Sequence, residues 1–86
     1  MKNILAIALL FVLKAEAQTS QTYTSRGNEY YLQLKFDLAE GQYRQALNLE
    51  ARNAEAKYNL ANALMQQKKF REAIEFYVEV TASENK

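Results

Sequence analysis

The carboxylates Glu72, Glu75 and Glu79 are the first residues in this chain whose types and spacing could do chemistry. Intervals of three and four residues put them on one strip of a helix. A carboxylate strip could hold a hard cation or shuttle a proton. A Ca²⁺ site, however, takes about 6–8 oxygen ligands from a turned loop, which a straight helix does not supply. Basic residues also stand close by, at Lys68, Lys69 and Arg71. The expectation is a solvated helix face. The chain has no histidine and no cysteine, so the commonest bases, nucleophiles and transition-metal ligands are missing. Phosphate loops, zinc spacings and nucleophile–base pairs are missing too. Catalysis by carboxylates alone is the one enzymatic reading left, and the expectation is no catalysis and no cofactor.

What the chain does offer is a set of residues whose positions repeat. Between residues 20–52 and a copy displaced by 34, seven positions are identical: Asn28/Asn62, Gln33/Gln67, Lys35/Lys69, Phe36/Phe70, Ala39/Ala73, Tyr43/Tyr77 and Glu50/Glu84. A fixed period of this size signals one supersecondary unit stacked on another. Proline is absent and there are two glycines, which suits long helices. Helical stripes follow. Tyr23, Gly27, Tyr30 and Leu34 share a face of a first helix, from about Thr22 to Gln33, capped by Ser20 or Thr22. Phe36, Ala39, Tyr43, Ala46, Leu47 and Glu50 share a face of a second, from about Asp37 to Glu50. Leu34–Phe36 is the turn between them, and Gly41 falls mid-helix on the other face.

Asn53 is expected to cap a third helix, about Ala54–Gln67, which turns Leu60, Ala61, Leu64 and Met65 inward. A fourth, about Phe70–Ser83, turns Phe70, Ala73, Ile74, Tyr77 and Val80 inward. Glu40–Arg44, Lys68–Glu72 and Arg71–Glu75 are expected i,i+4 pairs. Gly27 falls mid-helix, where glycine costs about 1 kcal/mol relative to alanine, and Ala61, the next smallest residue, stands at the same place in the second copy.

The two copies resemble the tetratricopeptide repeat (TPR) family, whose unit is a helix–turn–helix with the pattern W-x2-L-G-x2-Y, A-x3-F and a late proline. Tyr23, Gly27, Tyr30, Ala39, Tyr43 and Ala46 fill those places in the first copy. Leu60, Ala61, Leu64, Ala73, Tyr77 and Val80 fill them in the second. Arg26, Lys57 and Asn85 depart from the pattern. The resemblance implies an all-α fold: a short α-solenoid of two repeats, about 20–53 and 54–86, within a domain over residues 18–86.

It also implies a concave groove lined by the first helix of each repeat, which takes a peptide or helix of another protein. Carried over, the groove residues are Thr24, Ser25, Asn28, Tyr31 and Leu32, then Tyr58, Asn59, Asn62, Met65 and Gln66. Their chemistry suits the task. Asparagine can donate to and accept from a peptide backbone, tyrosine combines contact area with a polar tip, and methionine adapts its shape. One subtype of the family clamps a terminal carboxylate. Asn28 and Asn59 match its asparagines, but Thr24 stands where it needs lysine, so a clamp is not supported. The runs Arg26-Gly-Asn-Glu-Tyr-Tyr and Lys57-Tyr-Asn-Leu-Ala-Asn-Ala-Leu are similar to TPR proteins encoded in bacterial aerotolerance operons, which implies a periplasmic or membrane-associated scaffold.

Residues 1–17 have the layout of a signal peptide. Lys2 precedes ten apolar residues, Ile4–Leu13, and Ala15-Glu16-Ala17 offers a cleavage site before Gln18. Ten helical residues rise about 15 Å, against a hydrocarbon core of ~30 Å. The expectation is therefore export across the inner membrane with cleavage. The alternative is a membrane-anchored structural subunit whose segment stays uncut. Without residues 1–17 the chain carries nine basic and nine acidic residues, which leaves no footprint for nucleic acid and no polybasic segment for an anionic membrane. Two repeats fall short of the roughly three that stand alone. Tyr77, Val80 and Thr81 are thus expected to receive a further helix, from a longer chain, a partner, or a second copy.

Overall fold

The computed structural model describes residues 18–84. The signal-peptide reading of residues 1–17 and the departure at Asn85 lie outside them. The described chain is all-helical: α1 (Ser20–Leu32), α2 (Phe36–Leu49), α3 (Ala54–Gln66) and α4 (Phe70–Glu84). α1 packs along α2, α2 against α3 and α3 against α4, and α1 also touches α3. The order is two helix–turn–helix units stacked side by side.

Both units turn the same way. Gln33 and Gln67 end the first helix of each, followed by Leu34 at φ 62° and Lys68 at φ 64°. The backbone N–H of Lys35 donates to Tyr30 O at 2.9 Å and that of Leu34 to Tyr31 O at 2.9 Å; Lys69 to Leu64 O and Lys68 to Met65 O repeat the pair at the same lengths. These are Schellman closures, which satisfy the orphan carbonyls at the helix end. They need a left-handed residue, and neither copy has the glycine that signals one. Leu34 is consequently in the turn and 74% exposed, not on the packing face of the first helix as its spacing suggested.

The caps differ from expectation once. Thr19, rather than Ser20 or Thr22, caps α1, accepting from the N–H of Thr22 at 3.1 Å. Asn53 caps α3 as expected, accepting from Ala56 N at 3.0 Å, and Asp37 sits in the first turn of α2.

The core is built from small residues around few large ones. Ala39, Ala46, Ala56, Ala61, Ala63 and Ala73 are fully buried, and Tyr43, Leu60 and Leu64 are the large apolar side chains among them. Gly27 explains how Tyr43 fits. A Cβ built there would stand 2.4 Å from Tyr43 Cε1 and 2.6 Å from Cδ1. The ring therefore lies directly on the α1 backbone. Gly41 is mid-helix and exposed, and a Cβ there meets nothing within 4 Å.

The fourth helix corrects the expected stripe. Ala73 and Val80 are buried, but Phe70 is 50% and Ile74 56% exposed. Inwardness depends on a neighbour, and among the described helices the α4 backbone comes close only to that of α3. Phe76, absent from the expected stripe, packs against the core instead.

Charged groups tie the units together through Glu40. Its carboxylate accepts from Gln67 Nε2 at 2.9 Å and Lys69 Nζ at 3.1 Å, and pairs with Arg44 at 3.0 Å. Arg44 also pairs with Glu72 on α4 and lies over the Phe76 ring. Of the three expected i,i+4 pairs, only Glu40–Arg44 forms among the described residues. Glu72 goes to Arg44, not Lys68. The carboxylate strip is thereby divided, Glu72 to Arg44 and Glu79 to Lys57 at 3.3 Å.

Candidate protein-binding groove

α1 and α3 lie side by side and leave a hollow of about 190 Å³ lined by Asn28, Tyr31, Leu32, Tyr43, Asn59 and Asn62. Five of these come from the expected groove. Tyr43, from α2, is the one that sequence reasoning placed only in the core. Tyr31 is held in place edge-on to Phe36, with centroids 5.1 Å apart. Leu32 is 83% exposed at the rim.

The recurring asparagines have a structural basis. Tyr43 Oη donates to Asn28 Oδ1 at 2.7 Å. Tyr77 Oη donates to Asn62 Oδ1, one repeat later. In each unit, the second helix thus orients the asparagine of the first. Asn59 Nδ2 also donates to Asn28 Oδ1, at 3.0 Å. Both oxygens are therefore engaged from within. Among the described residues no hydrogen bond engages Asn28 Nδ2, Asn62 Nδ2 or Asn59 Oδ1. Two donors and one acceptor remain open along the hollow, the complement of an extended peptide backbone. The signal for Tyr43 was present in the sequence: Asn and Tyr recur 15 apart in both copies.

Burial moves both tyrosine hydroxyls above their ordinary range. It pushes the Tyr43 hydroxyl up to about 12, with smaller contributions from Tyr31 and Glu55. It raises Tyr77 too, helped by Tyr58 and Tyr31. A neutral hydroxyl is the form that donates to the asparagine oxygen. Among the described residues the lining contains no charged side chain.

The other expected groove residues divide. Ser25, Tyr58, Met65 and Gln66 are exposed but stand outside the hollow. Met65, expected also to turn inward, is 39% exposed. Tyr58 meets Tyr77 edge-on at 5.7 Å. Thr24 does not belong to the groove. It is fully buried, its Oγ1 donating to Ser20 O at 2.9 Å and accepting from Asn53 Nδ2 at 3.2 Å. Asn53 Nδ2 also reaches Ser20 Oγ at 2.7 Å, and Ser20 Oγ donates to Ala46 O at 2.9 Å. The cap of α3 thus draws the start of α1 inward, so the buried face of α1 runs through Ser20, Thr24 and Gly27.

Stacked helix–turn–helix units with a hollow across their first helices define an all-helical repeat fold. Residues 54–81 match the family model described as tetratricopeptide repeat, which supports the TPR family for this chain. Such repeats generally mediate protein–protein interaction and are typically non-catalytic. No match is found among curated proteins.

Proposed function

We propose that this chain is an exported scaffold module that binds an extended segment of another protein in the α1–α3 groove and catalyses nothing. The observation that carries the reading is the twin Asn–Tyr arrangement. In both units a tyrosine, Tyr43 fully and Tyr77 partly buried, fixes the asparagine oxygen, which leaves the amide nitrogens of Asn28 and Asn62 to meet a ligand backbone. Preorganised polar groups bind at a lower entropic cost. The hollow beside them, walled by Tyr31, Leu32 and Tyr43, suits one apolar side chain of that segment.

Export rests on the apolar run Ile4–Leu13 and the Ala15-Glu16-Ala17 site. The similarity to the TPR proteins of aerotolerance operons extends the proposal to a periplasmic or membrane-associated scaffold. Among the described residues no helix is long and apolar enough to cross a membrane.

Two experiments test this. N-terminal sequencing of the exported protein should begin at Gln18, and a retained Met1 defeats the cleaved form. Peptides selected from a displayed library should shift the amide resonances of Asn28, Asn59 and Asn62. Their affinity should fall about tenfold with Asn59→Ala, the loss of roughly one hydrogen bond, and should fall again with Leu32→Lys. Peptides that bind equally well to both variants would remove the groove from the proposal.

A further inference from the structure

An open surface selects a partner only where it discriminates between occupants. On α4, Val80 is buried at 8% exposure instead of receiving a further helix as expected, and the exposed Ile74 and Val78 would take any apolar chain. The edge of the α1–α3 groove discriminates more, because it carries charge of one sign.

Glu55 stands four residues before Asn59 and seven before Asn62. Those intervals put the three on one strip of α3, and Asn59 and Asn62 line the hollow. Asn59 Nδ2 reaches Asn28 Oδ1 on α1 at 3.0 Å, so this strip is the one turned toward α1. Glu55 is the next residue along it, one turn from Asn59 toward the start of α3. It is exposed, and among the described residues no ion pair engages it. Its charge reaches inside, because it helps burial to push up the hydroxyl of Tyr43, which lines the hollow.

Among the described residues no cation offsets it there. α1 carries no charge from Ser20 to Ser25. Arg26 lies over the Tyr23 ring, 5.7 Å from its centroid, and borders a different hollow with Glu29 and Gln42. Lys57 pairs with Glu79 on α4 at 3.3 Å, and Arg52 lines the surface on that side. One period before Glu55 stands Gln21, also exposed. The first unit thus has an amide where the second has a carboxylate of the same length.

A carboxylate in the first turn complements the helix dipole. At the edge of an uncharged hollow it also acts on whatever lies across α3. A carboxylate of the ligand would meet its like there, whereas an amide, a hydroxyl or a hydrocarbon would not. We infer that Glu55 sets the selectivity of the groove: the segment it admits carries no carboxylate where it passes the first turn of α3. The partner it fits is an uncharged stretch of chain around one apolar anchor. This selectivity rests on the groove reading proposed above.

A peptide selected from the displayed library, synthesised with glutamine or glutamate in turn at each position flanking its apolar anchor, provides the test by titration calorimetry. On the unsubstituted chain one flanking position should bind about threefold more weakly as glutamate than as glutamine, the size of one exposed charge contact. The gap should narrow as salt rises from about 0.01 to 0.15 M, where the screening length falls from about 30 to 8 Å. It should close in Glu55→Gln, which gives α3 the residue type of the first unit. It should persist in Glu29→Gln, which makes the same change of net charge on another face. Glutamine and glutamate peptides that shift the Asn28, Asn59 and Asn62 resonances alike and bind equally overturn the selectivity and leave the groove standing. A gap that survives Glu55→Gln, or closes equally in Glu29→Gln, overturns it too and confines Glu55 to the helix dipole. Peptides that bind without moving those resonances overturn the groove and the selectivity together.

Discussion

Replacing Gly27 by alanine ought to help an ordinary helix, by about 1 kcal/mol of propensity. Here the reverse is expected. The added Cβ would stand 2.4, 2.6 and 2.9 Å from three atoms of the Tyr43 ring, against 3.4 Å or more for ordinary contact. The ring must retreat by about 1 Å, and it is only 1% exposed, inside a core with little slack. Overpacking of this kind costs about 1–3 kcal/mol. Retreat also draws the hydroxyl from Asn28, a bond worth about 1 kcal/mol. After the propensity gain, a net loss of about 1–3 kcal/mol remains. Leucine at 27 should lose more than about 2 kcal/mol. Gly41→Ala is the matched control. It lies mid-helix with open space around it and should gain about 0.5–1 kcal/mol. Urea unfolding followed by circular dichroism measures all three. In a Tyr43→Ala background the cost of Gly27→Ala should vanish. Equal stability of Gly27→Ala and the unsubstituted chain, or a cost that persists without the ring, would refute the close approach of α1 and α2.

Further outcomes are expected. Lys68→Gly should raise the unfolding midpoint, because Lys68 holds a left-handed φ of 64° that costs a side chain about 1 kcal/mol; a lower midpoint would contradict the turn geometry. Asn53→Ala should lose about 1–2 kcal/mol in the same assay, since it removes the α3 cap and the links to Ser20 and Thr24, and an exposed cap alone would sit at the low end. Burial alone would raise the carboxyl of Glu40, but hydrogen bonds from Gln67, Arg44 and Lys69 outweigh it and hold it below its usual range. Its contribution is therefore complete above pH ~4.3 and lost as pH falls through the lower folded value. Thermal melts from pH 6 to 2 should drop over that interval, and less steeply in Glu40→Gln. Tyr43 is pushed up to about 12 by burial. Its contribution is complete below pH ~10 and lost as pH rises through the folded value, so alkaline melts should fall over that range and Tyr43→Phe should flatten the decline.

The helices were legible because local signals agree. Absence of proline, the 34-residue period and the Asn53 cap place all four to within about two residues. Gly27 was legible because a mid-helix glycine needs a reason, and Tyr43 is that reason. What escaped depends on distant neighbours. Thr24 has the spacing of a groove residue, yet Asn53, 29 positions on, draws it inside. Glu72 could have paired within its own helix, but Arg44 lies opposite, 28 positions away. Leu34 continues the apolar stripe by number, and only the closing hydrogen bonds show the helix already over. Ile74 is as apolar as any core residue, and nothing within α4 says that its side is open. In the groove, the asparagines were legible from their recurrence, but their orientation was not, because a tyrosine on another helix sets it.

A groove lined without charge also separates two responses that usually move together. Salt weakens contacts between exposed charges, with a screening length of about 10 Å at 0.1 M. The links from Glu40 to Lys69 and from Arg44 to Glu72 are partly exposed and hold the two units in register. The hollow offers amide, hydroxyl and hydrocarbon surfaces. Rising ionic strength should therefore loosen the scaffold while scarcely touching the intrinsic contact with its ligand. In the proposed role, binding in this groove should then hold across changing ionic surroundings.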